Sequence, residues 1–285
     1  MRRGFHRMSK LWVVIATLLL SAAAHAENNI TVKGSDTMLI LGQKWAEVYM
    51  KTHPGSSVQV TGGGSGTGIA ALQNGTTDIC NASRPMKPSE VGEFAKKYKT
   101  RPHEYKMCLD GLSVYVNESN PIKKLSFSQI EKIFTGQVTN WKEVGGPDAP
   151  ISLYGRENSS GTYEFFKDHV LNKKDFAPAT KTMPGTAAVI EGVAKDNGGI
   201  GYGGIAYGKG VKHLLVSKAD DGEGIEPTEA NVITMKYPIS RFLFNYVSPA
   251  SDSGAIAEYI KWCIGKEGQS LVKEIGYYPL PKNLQ

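Results

Sequence analysis

The chain has 285 residues, of which 40% are hydrophobic and 21% are charged, and its formal net charge at pH 7 is +6. Four of the positive charges, on Arg2, Arg3, Arg7 and Lys10, lie in a basic N-terminal stretch without acidic residues, which leaves +2 for residues 27–285. So small a charge gives no support for nucleic acid or an anionic membrane surface as a partner.

Residues 1–26 have the composition of a secretory signal peptide. The basic stretch is followed by the apolar run LWVVIATLLLSAAA, and Ala-His-Ala before Glu27 fits a cleavage site. We expect cleavage after Ala26 and a periplasmic mature protein. An uncleaved anchor helix is the alternative, but the run is short for a membrane span and polar residues follow it directly.

Short β-like segments alternate with helix-like segments from residue 27 onward, which predicts an α/β fold. The first predicted elements are a strand at 30–35, a helix at 36–53, a strand at 56–66, a helix at 67–75 and a strand at 76–86. After them we predict a strand at 108–117, a helix at 127–136, a strand at 151–160, a helix at 161–172, a glycine-rich strand and turn at 198–208, a strand at 238–249 and a helix at 252–268.

This order of elements favours two α/β lobes, with the second inserted into the first. Lobe 1 would take residues 27–110 and 240–285, lobe 2 residues 111–239, and the chain would cross between them near 109–116 and 239–247. Ligands favour the cleft at the carboxyl ends of the strands in such folds. Two tandem domains are the alternative that composition alone leaves open.

Three predicted turns between a strand and a helix are rich in glycine and hydroxyl groups. They are KGSDTM (33–38), GGGSGTG (62–68) and RENSSGT (156–162). The first turn of a helix leaves backbone N–H groups unpaired and carries partial positive charge, so such turns favour anions. Arg156 adds a planar guanidinium suited to an oxyanion. Simple N-capping is the alternative for each turn taken singly.

Motifs for catalysis, metal and cofactors are not evident in the sequence. GGSGTG is not the G-x-S-x-G motif, no nucleotide P-loop is present, and none of the three turns contains a histidine that could act as a base. We therefore expect a binding protein rather than an enzyme, without metal or cofactor. Cys80, Cys108 and Cys263 form no C-x-x-C pair, and the sequence leaves open whether two of them form a disulfide.

Six segments, in chain order, resemble those of the periplasmic phosphate-binding proteins of ABC-type phosphate importers. They are GSDTM, GGGSGTGIAAL, TDICNASRPMK, FTGQVTNW, GRENSSGT and GGIGYGGIAY. The resemblance implies a type II periplasmic-binding-protein fold, with two lobes joined by a two-crossing hinge and inorganic phosphate bound in the cleft. It also implies a monomer that delivers phosphate to a membrane permease.

The same resemblance implies which residues bind the anion. They are Ser35, Asp36, Thr37, Ser65, Arg156, Ser160, Gly161 and Thr162. The chain departs from the family at Arg84 in NASRP, where many members have an aspartate that accepts a proton from phosphate.

The departure at Arg84 bears on which anion is selected. We expect Arg84 either to bind the anion or to pair with an acid such as Asp78, and we hypothesise that Asp36 takes over the acceptor role; the alternative is that Asp36 only caps its helix. A receptor for sulfate or molybdate, or an exported phosphohydrolase, remains the alternative function.

Overall fold

The protein, described over residues 28–285 by a computed structural model, alternates strands and helices as predicted. The predicted leader, residues 1–26, lies outside this range. The strands are β1 (Asn28–Gly34), β2 (Ser56–Thr61), β3 (Ile79–Ala82), β4 (His103–Gly111), β5 (Ser113–Val116), β6 (Lys124–Ser126), β7 (Ser152–Arg156), β8 (Lys181–Met183), β9 (Gly199–Gly203), β10 (Lys212–His213), β11 (Leu215–Ser217) and β12 (Ser240–Val247). The α-helices are α1 (Leu39–Thr52), α2 (Ser65–Asn74), α3 (Pro88–Tyr98), α4 (Phe127–Phe134), α5 (Gly161–His169), α6 (Thr186–Lys195), α7 (Glu229–Ile233), α8 (Gly254–Ile264) and α9 (Lys266–Ile275).

Two five-stranded sheets form the framework. The first has the order β2-β1-β3-β12-β4, in which β1 is parallel to β2 and β3, and β12 is antiparallel to β3 and β4. The second has the order β10-β5-β9-β7-β8, with β7 parallel to β8 and β9. Because parallel neighbours end at the same edge of a sheet, the turns after β1, β2 and β3 lie side by side.

Several helices bury an apolar face against these sheets. In α1 the buried side chains Leu41, Trp45 and Tyr49 recur every four residues, which places them on one face of the helix. The four residues of β3 are all buried, as expected for a central strand covered on both faces.

The three cysteines are free and buried. Cys80 lies on β3, Cys108 on β4 and Cys263 on α8, and each is at most 1% exposed. Burial raises the pKa of all three thiols, which keeps them protonated and unreactive. The cysteines therefore act as small core residues in this structure.

The helices differ from the sequence prediction in two ways. The single helix predicted at 252–268 is two helices, because the chain is extended at Gly265 (φ −71°, ψ 178°) and α9 then folds back against α8. A Cβ on Gly268 would lie 2.5 Å from Cys263 Cα, so glycine is needed for this close contact. Helices α3, α6 and α7 were not predicted; only Phe94 of the eleven residues of α3 is buried, and α7 has only five residues.

Within residues 28–285, no helix combines the length and apolar character needed to cross a bilayer.

Candidate functional site

Four buried hydroxyl groups, from segments that follow strands of both sheets, form a continuous chain. Thr37 Oγ1 lies 2.7 Å from Thr162 Oγ1, which lies 3.2 Å from Ser83 Oγ, which in turn lies 3.2 Å from Ser65 Oγ. Each of these residues is at most 1% exposed. Thr37, Ser65 and Thr162 were predicted from sequence to share one site, and the structure brings them together.

The N-termini of α2 and α5 meet at this hydroxyl chain. Gly66 N–H donates to Ser159 O at 2.9 Å, and a Cβ on Gly161 would lie 2.3 Å from Ser65 Oγ. Gly64 begins α2 with φ +92°, and a Cβ there would lie 2.4 Å from Ser159 O, so glycine is required for the approach. Both helices thus direct the partial positive charge of their first turns toward the same point.

Arg156, at the end of β7, is buried, pairs with Asp36 next to Thr37, and carries the full positive charge predicted for the site. Its Nη2 lies 2.7 Å from Asp36 Oδ2 and 2.7 Å from Glu157 Oε1, and its Nη1 donates to Thr186 Oγ1 at 2.9 Å. The second oxygen of Asp36 accepts from Gly63 N–H at 2.9 Å. Two carboxylates therefore share one arginine whose side chain is 1% exposed.

The charge of Arg156 acts on the neighbouring Glu157. Partial burial tends to raise the pKa of Glu157, but the hydrogen bond and positive charge of Arg156 outweigh it and hold that pKa below its ordinary value. Glu157 is therefore ionised at neutral pH, and it offsets part of the positive charge at the site.

Ser35 and Ser160 lie in the predicted turns but bond differently from the four hydroxyls. Ser35 is buried, and its backbone N–H donates to Asn81 O at 2.9 Å. Ser160 Oγ caps α5 by accepting from Tyr163 N–H at 3.2 Å. Capping leaves the hydroxyl proton of Ser160 free to be donated to another group.

Arg84 does not contact the hydroxyl chain; it pairs with acids, the second of the two alternatives expected from the sequence, but with acids other than Asp78. Its Nη1 and Nη2 bond to the carboxylate of Glu90 at 2.8 and 2.7 Å, and its Nε lies 2.5 Å from Glu164 Oε2 without good hydrogen-bond alignment. Pairing with Asp78 was wrong, because Asp78 instead accepts from Thr31 N and Oγ1 at 2.8 and 2.7 Å. With all its nitrogens directed at two glutamates, Arg84 has no contact with the predicted anion ligands.

The second arginine at the hydroxyl chain is Arg241, which the sequence analysis missed. Arg241 on β12 pairs with Asp110 on β4 at 2.8 Å, and both side chains are at most 2% exposed. Its guanidinium also donates to Ser83 O at 2.9 Å and to Thr162 Oγ1 at 3.1 Å. A signal was present, since each residue is a lone charge in an apolar segment, and buried charges require partners.

An open cavity of about 540 Å³ adjoins the Arg156–Asp36 pair. Gly63, Glu157 and Gly185 also line it, so it reaches the site from the glycine-rich turn after β2. Among residues 28–285, no cluster of three or more His, Cys, Asp or Glu side chains is placed to hold a metal ion. The chemistry offered here is hydrogen-bond donation and positive charge around a small space, which suits an oxyanion.

Comparison with known proteins agrees with this arrangement. A family model described as a PBP superfamily domain matches residues 21–267. The phosphate-binding protein PstS of Pseudomonas aeruginosa is 35% identical over 275 residues, which cover 91% of this chain and 85% of that protein. The chain belongs to the PstS-like family of the PBP superfamily.

Solved structures of this family share the fold. A phosphate ABC transporter substrate-binding protein with bound phosphate from Clostridium perfringens superposes with a TM-score of 0.82 at 26% identity, covering 89% of this chain and 100% of that one. An ABC-type phosphate transport receptor from Vibrio cholerae has a TM-score of 0.70 at 30% identity, covering 88% of this chain and 100% of that one. The predicted α/β fold of the periplasmic-binding-protein type is thereby confirmed.

Proposed function

We propose that this protein is an extracytoplasmic solute-binding protein that captures inorganic phosphate and delivers it to the permease of an ABC importer. The observation that carries the proposal is the convergence of two helix N-termini and four buried hydroxyls on one point, beside the turn whose Asp36 pairs with Arg156. The Clostridium perfringens relative with bound phosphate and the Pseudomonas aeruginosa phosphate-binding protein support phosphate as the anion.

The bound anion would be held by the predicted residues of the three turns together with Ser83. Phosphate would exchange the neutral bonds among the hydroxyls for charge-assisted ones, which contribute about 1.5–3 kcal/mol each. A few such bonds beyond the desolvation cost reach the roughly −8 kcal/mol of micromolar binding. Ser65, Thr162 and the first-turn N–H groups of α2 and α5 would supply most of the donors.

The lobe assignment forms part of this proposal. Lobe 1 would comprise residues 27–110 and 240–285 around the first sheet, and lobe 2 residues 111–239 around the second. The two chain crossings would lie near 109–116, around the junction of β4 and β5, and near 239–247, in β12. Motion at these crossings would open the site, because Thr37 and Ser65 lie on lobe 1 whereas Arg156 and Thr162 lie on lobe 2.

The remaining elements of the proposal follow from the family and the sequence. The relatives are substrate-binding proteins of transporters, and binding requires neither a nucleophile nor a general base. We propose that the chain is non-catalytic, monomeric and free of cofactors. Export would be directed by residues 1–26, with cleavage after Ala26 and release into the periplasm.

Calorimetric titration of the mature protein, stripped of bound anion, tests the function. We expect a one-to-one complex with phosphate and much weaker binding of sulfate and molybdate. If sulfate or molybdate binds more tightly than phosphate, that anion and not phosphate is the ligand. Steady hydrolysis of a chromogenic phosphate ester, lost in an Arg156→Ala variant, would instead identify a phosphohydrolase.

A further inference from the structure

Glu164, on the first turn of α5, pairs with two cationic side chains from the other proposed lobe. Arg84 Nε lies 2.5 Å from Glu164 Oε2, and Lys87 Nζ contacts Glu164 Oε1. Arg84 follows β3 and Lys87 precedes α3, so both belong to lobe 1, whereas Glu164 belongs to lobe 2. These contacts are separate from the hydroxyls and from Arg156.

The ion pairs of Glu164 with Arg84 and Lys87 lie next to the hydroxyl chain, at the contact between the two proposed lobes. Ser83 Oγ lies 3.2 Å from Thr162 Oγ1, and the next residue after Ser83 and the second after Thr162 form the Arg84–Glu164 pair. Anything that holds Arg84 against Glu164 therefore also holds the hydroxyls of the two lobes at bonding distance.

Arg84 is held ready for this contact by its own lobe. Both oxygens of Glu90 bond to Arg84, and the side chain of Arg84 is 7% exposed. Partial burial tends to raise the pKa of Glu90, but its hydrogen bonds with Arg84 and with Lys87 N–H hold that pKa below its ordinary value. With Glu90 fixing the guanidinium, little side-chain entropy is lost when Glu164 approaches.

We propose that Arg84, Lys87 and Glu164 form a closing latch that stabilises the lobe-closed form and thereby raises affinity for the anion. The latch rests on the proposed function, and Glu164 acts in it as a positioning residue, without contact to the anion. Closing brings Glu164 to both cations, and opening returns it to water while Arg84 keeps Glu90. Because the closed form is the tight-binding one, any free energy gained at the latch adds to the free energy of anion binding.

One variant distinguishes the latch from a simple field effect of charge, and a second tests the contribution of Lys87. Glu164→Gln removes a negative charge near the anion site, so a field effect alone would tighten phosphate binding. The latch predicts weakening instead, by about tenfold, since two ion pairs with a side chain that is 19% exposed are lost. Lys87→Met removes the half-exposed partner and is expected to weaken binding by about two- to fivefold.

Salt dependence and shape give further readouts. Raising the potassium chloride concentration screens the latch, so wild-type affinity is expected to fall more steeply with salt than that of Glu164→Gln. X-ray scattering at a fixed subsaturating phosphate concentration is expected to give a larger radius of gyration for Glu164→Gln than for wild type.

The matched controls are Glu131→Gln and Lys174→Met. Glu131 and Lys174 form an ion pair, with side-chain exposures of 13% and 54%, that lies wholly within residues 111–239. Neither control is expected to change phosphate affinity. Unchanged or tighter binding by Glu164→Gln, with wild type binding phosphate normally, would overturn the latch and leave the proposed function intact.

Failure of the proposed function has a different signature. If wild type binds sulfate or molybdate but not phosphate, the phosphate assignment falls, and the same variants are titrated with the anion that binds. Weaker binding of that anion by both the Glu164→Gln and the Lys87→Met variant would support the latch. If wild type binds none of the three anions, both the function and the latch are wrong.

Discussion

Arg241 Nη2 donates a hydrogen bond to Thr162 Oγ1 at 3.1 Å, although the two residues are 79 positions apart and lie in different proposed lobes. Because the threonine oxygen accepts from the guanidinium, its own proton is free for Thr37, Ser83 or an anion. The hydroxyl proton of Ser65 is left free in the same way, since the Ser65 oxygen accepts from Ser83 N–H at 3.0 Å. Fixed donors behind two of the hydroxyls therefore orient them as donors toward the site.

Arg241→Lys tests this orientation. Lysine keeps the charge but cannot serve Asp110, Ser83 O and Thr162 together, because it lacks the planar fork. We expect the free energy of unfolding to fall by about 1–3 kcal/mol and phosphate affinity to fall by about tenfold. Urea denaturation and calorimetry measure the two effects. Arg101→Lys, at an exposed position, is the control and should change neither; equal phosphate affinity in Arg241→Lys would contradict the role of Arg241.

Arg156→Ala is expected to weaken phosphate binding by about 2–5 kcal/mol, because it removes the charged partner and leaves Asp36 and Glu157 without it. Arg156→Lys should fall between wild type and Arg156→Ala, since it restores charge without the fork. Calorimetric titration at constant pH gives the comparison. If Arg156→Ala titrates like wild type, Arg156 is a structural residue only.

Asp36→Asn tests whether Asp36 serves as the carboxylate that distinguishes phosphate from sulfate. A carboxylate can accept the proton that phosphate carries, but it repels sulfate, which has none. We expect the preference for phosphate over sulfate to shrink by about tenfold or more in the variant. Glu157→Gln, which removes the other carboxylate on Arg156, serves as the control. If Asp36→Asn still excludes sulfate and binds phosphate as wild type does, Asp36 is not the carboxylate that distinguishes the two anions.

Gly161→Ala probes the contact between α2 and α5. The added methyl would lie 2.3 Å from Ser65 Oγ and 2.9 Å from Ser83 Oγ, so the hydroxyls must move. Overpacking of this size costs about 1–3 kcal/mol, which corresponds to a loss of roughly ten- to a hundredfold in phosphate affinity. Gly92→Ala is the matched control, since nothing lies within 4 Å of its Cβ position. It should leave affinity unchanged and stabilise α3 by about 0.5–1 kcal/mol.

The stability of the protein is expected to fall in acid partly through Glu90. Burial tends to raise its pKa, but Arg84 and the Lys87 N–H lower it below the ordinary value in the folded state. A lowered folded pKa stabilises the protein fully above the unfolded value of about 4.3, and this contribution is lost as pH falls through the folded value. Thermal midpoints measured from pH 7 to pH 3 should therefore drop less steeply in Glu90→Gln. If the thermal midpoints of wild type and Glu90→Gln fall in parallel with pH, Glu90 does not contribute to the loss of stability in acid.

The sequence by itself determined the α/β alternation and the three turns of the site. Gly64, Ser65 and Thr162 could be found because local rules govern them: glycine permits an unusual backbone angle, and hydroxyl residues begin helices. The resemblance to a family added the expectation that these turns meet. The boundaries of β3 and the two C-terminal helices were less accurate, since close packing at Gly268 and not local pattern decides where the chain turns.

Only the tertiary structure decided which charges belong together. The sequence left Arg84 either at the anion or paired with an acid such as Asp78, and in the structure it pairs with Glu90 and Glu164. It gave no role to Arg241, which lies opposite Asp110 on the adjacent strand and donates to Thr162. A guanidinium extends well beyond its own backbone position, and its partners come from segments far away in the chain. Pairing of buried charges is therefore set by the folded geometry, whereas helix starts and glycine turns are set by neighbours in sequence.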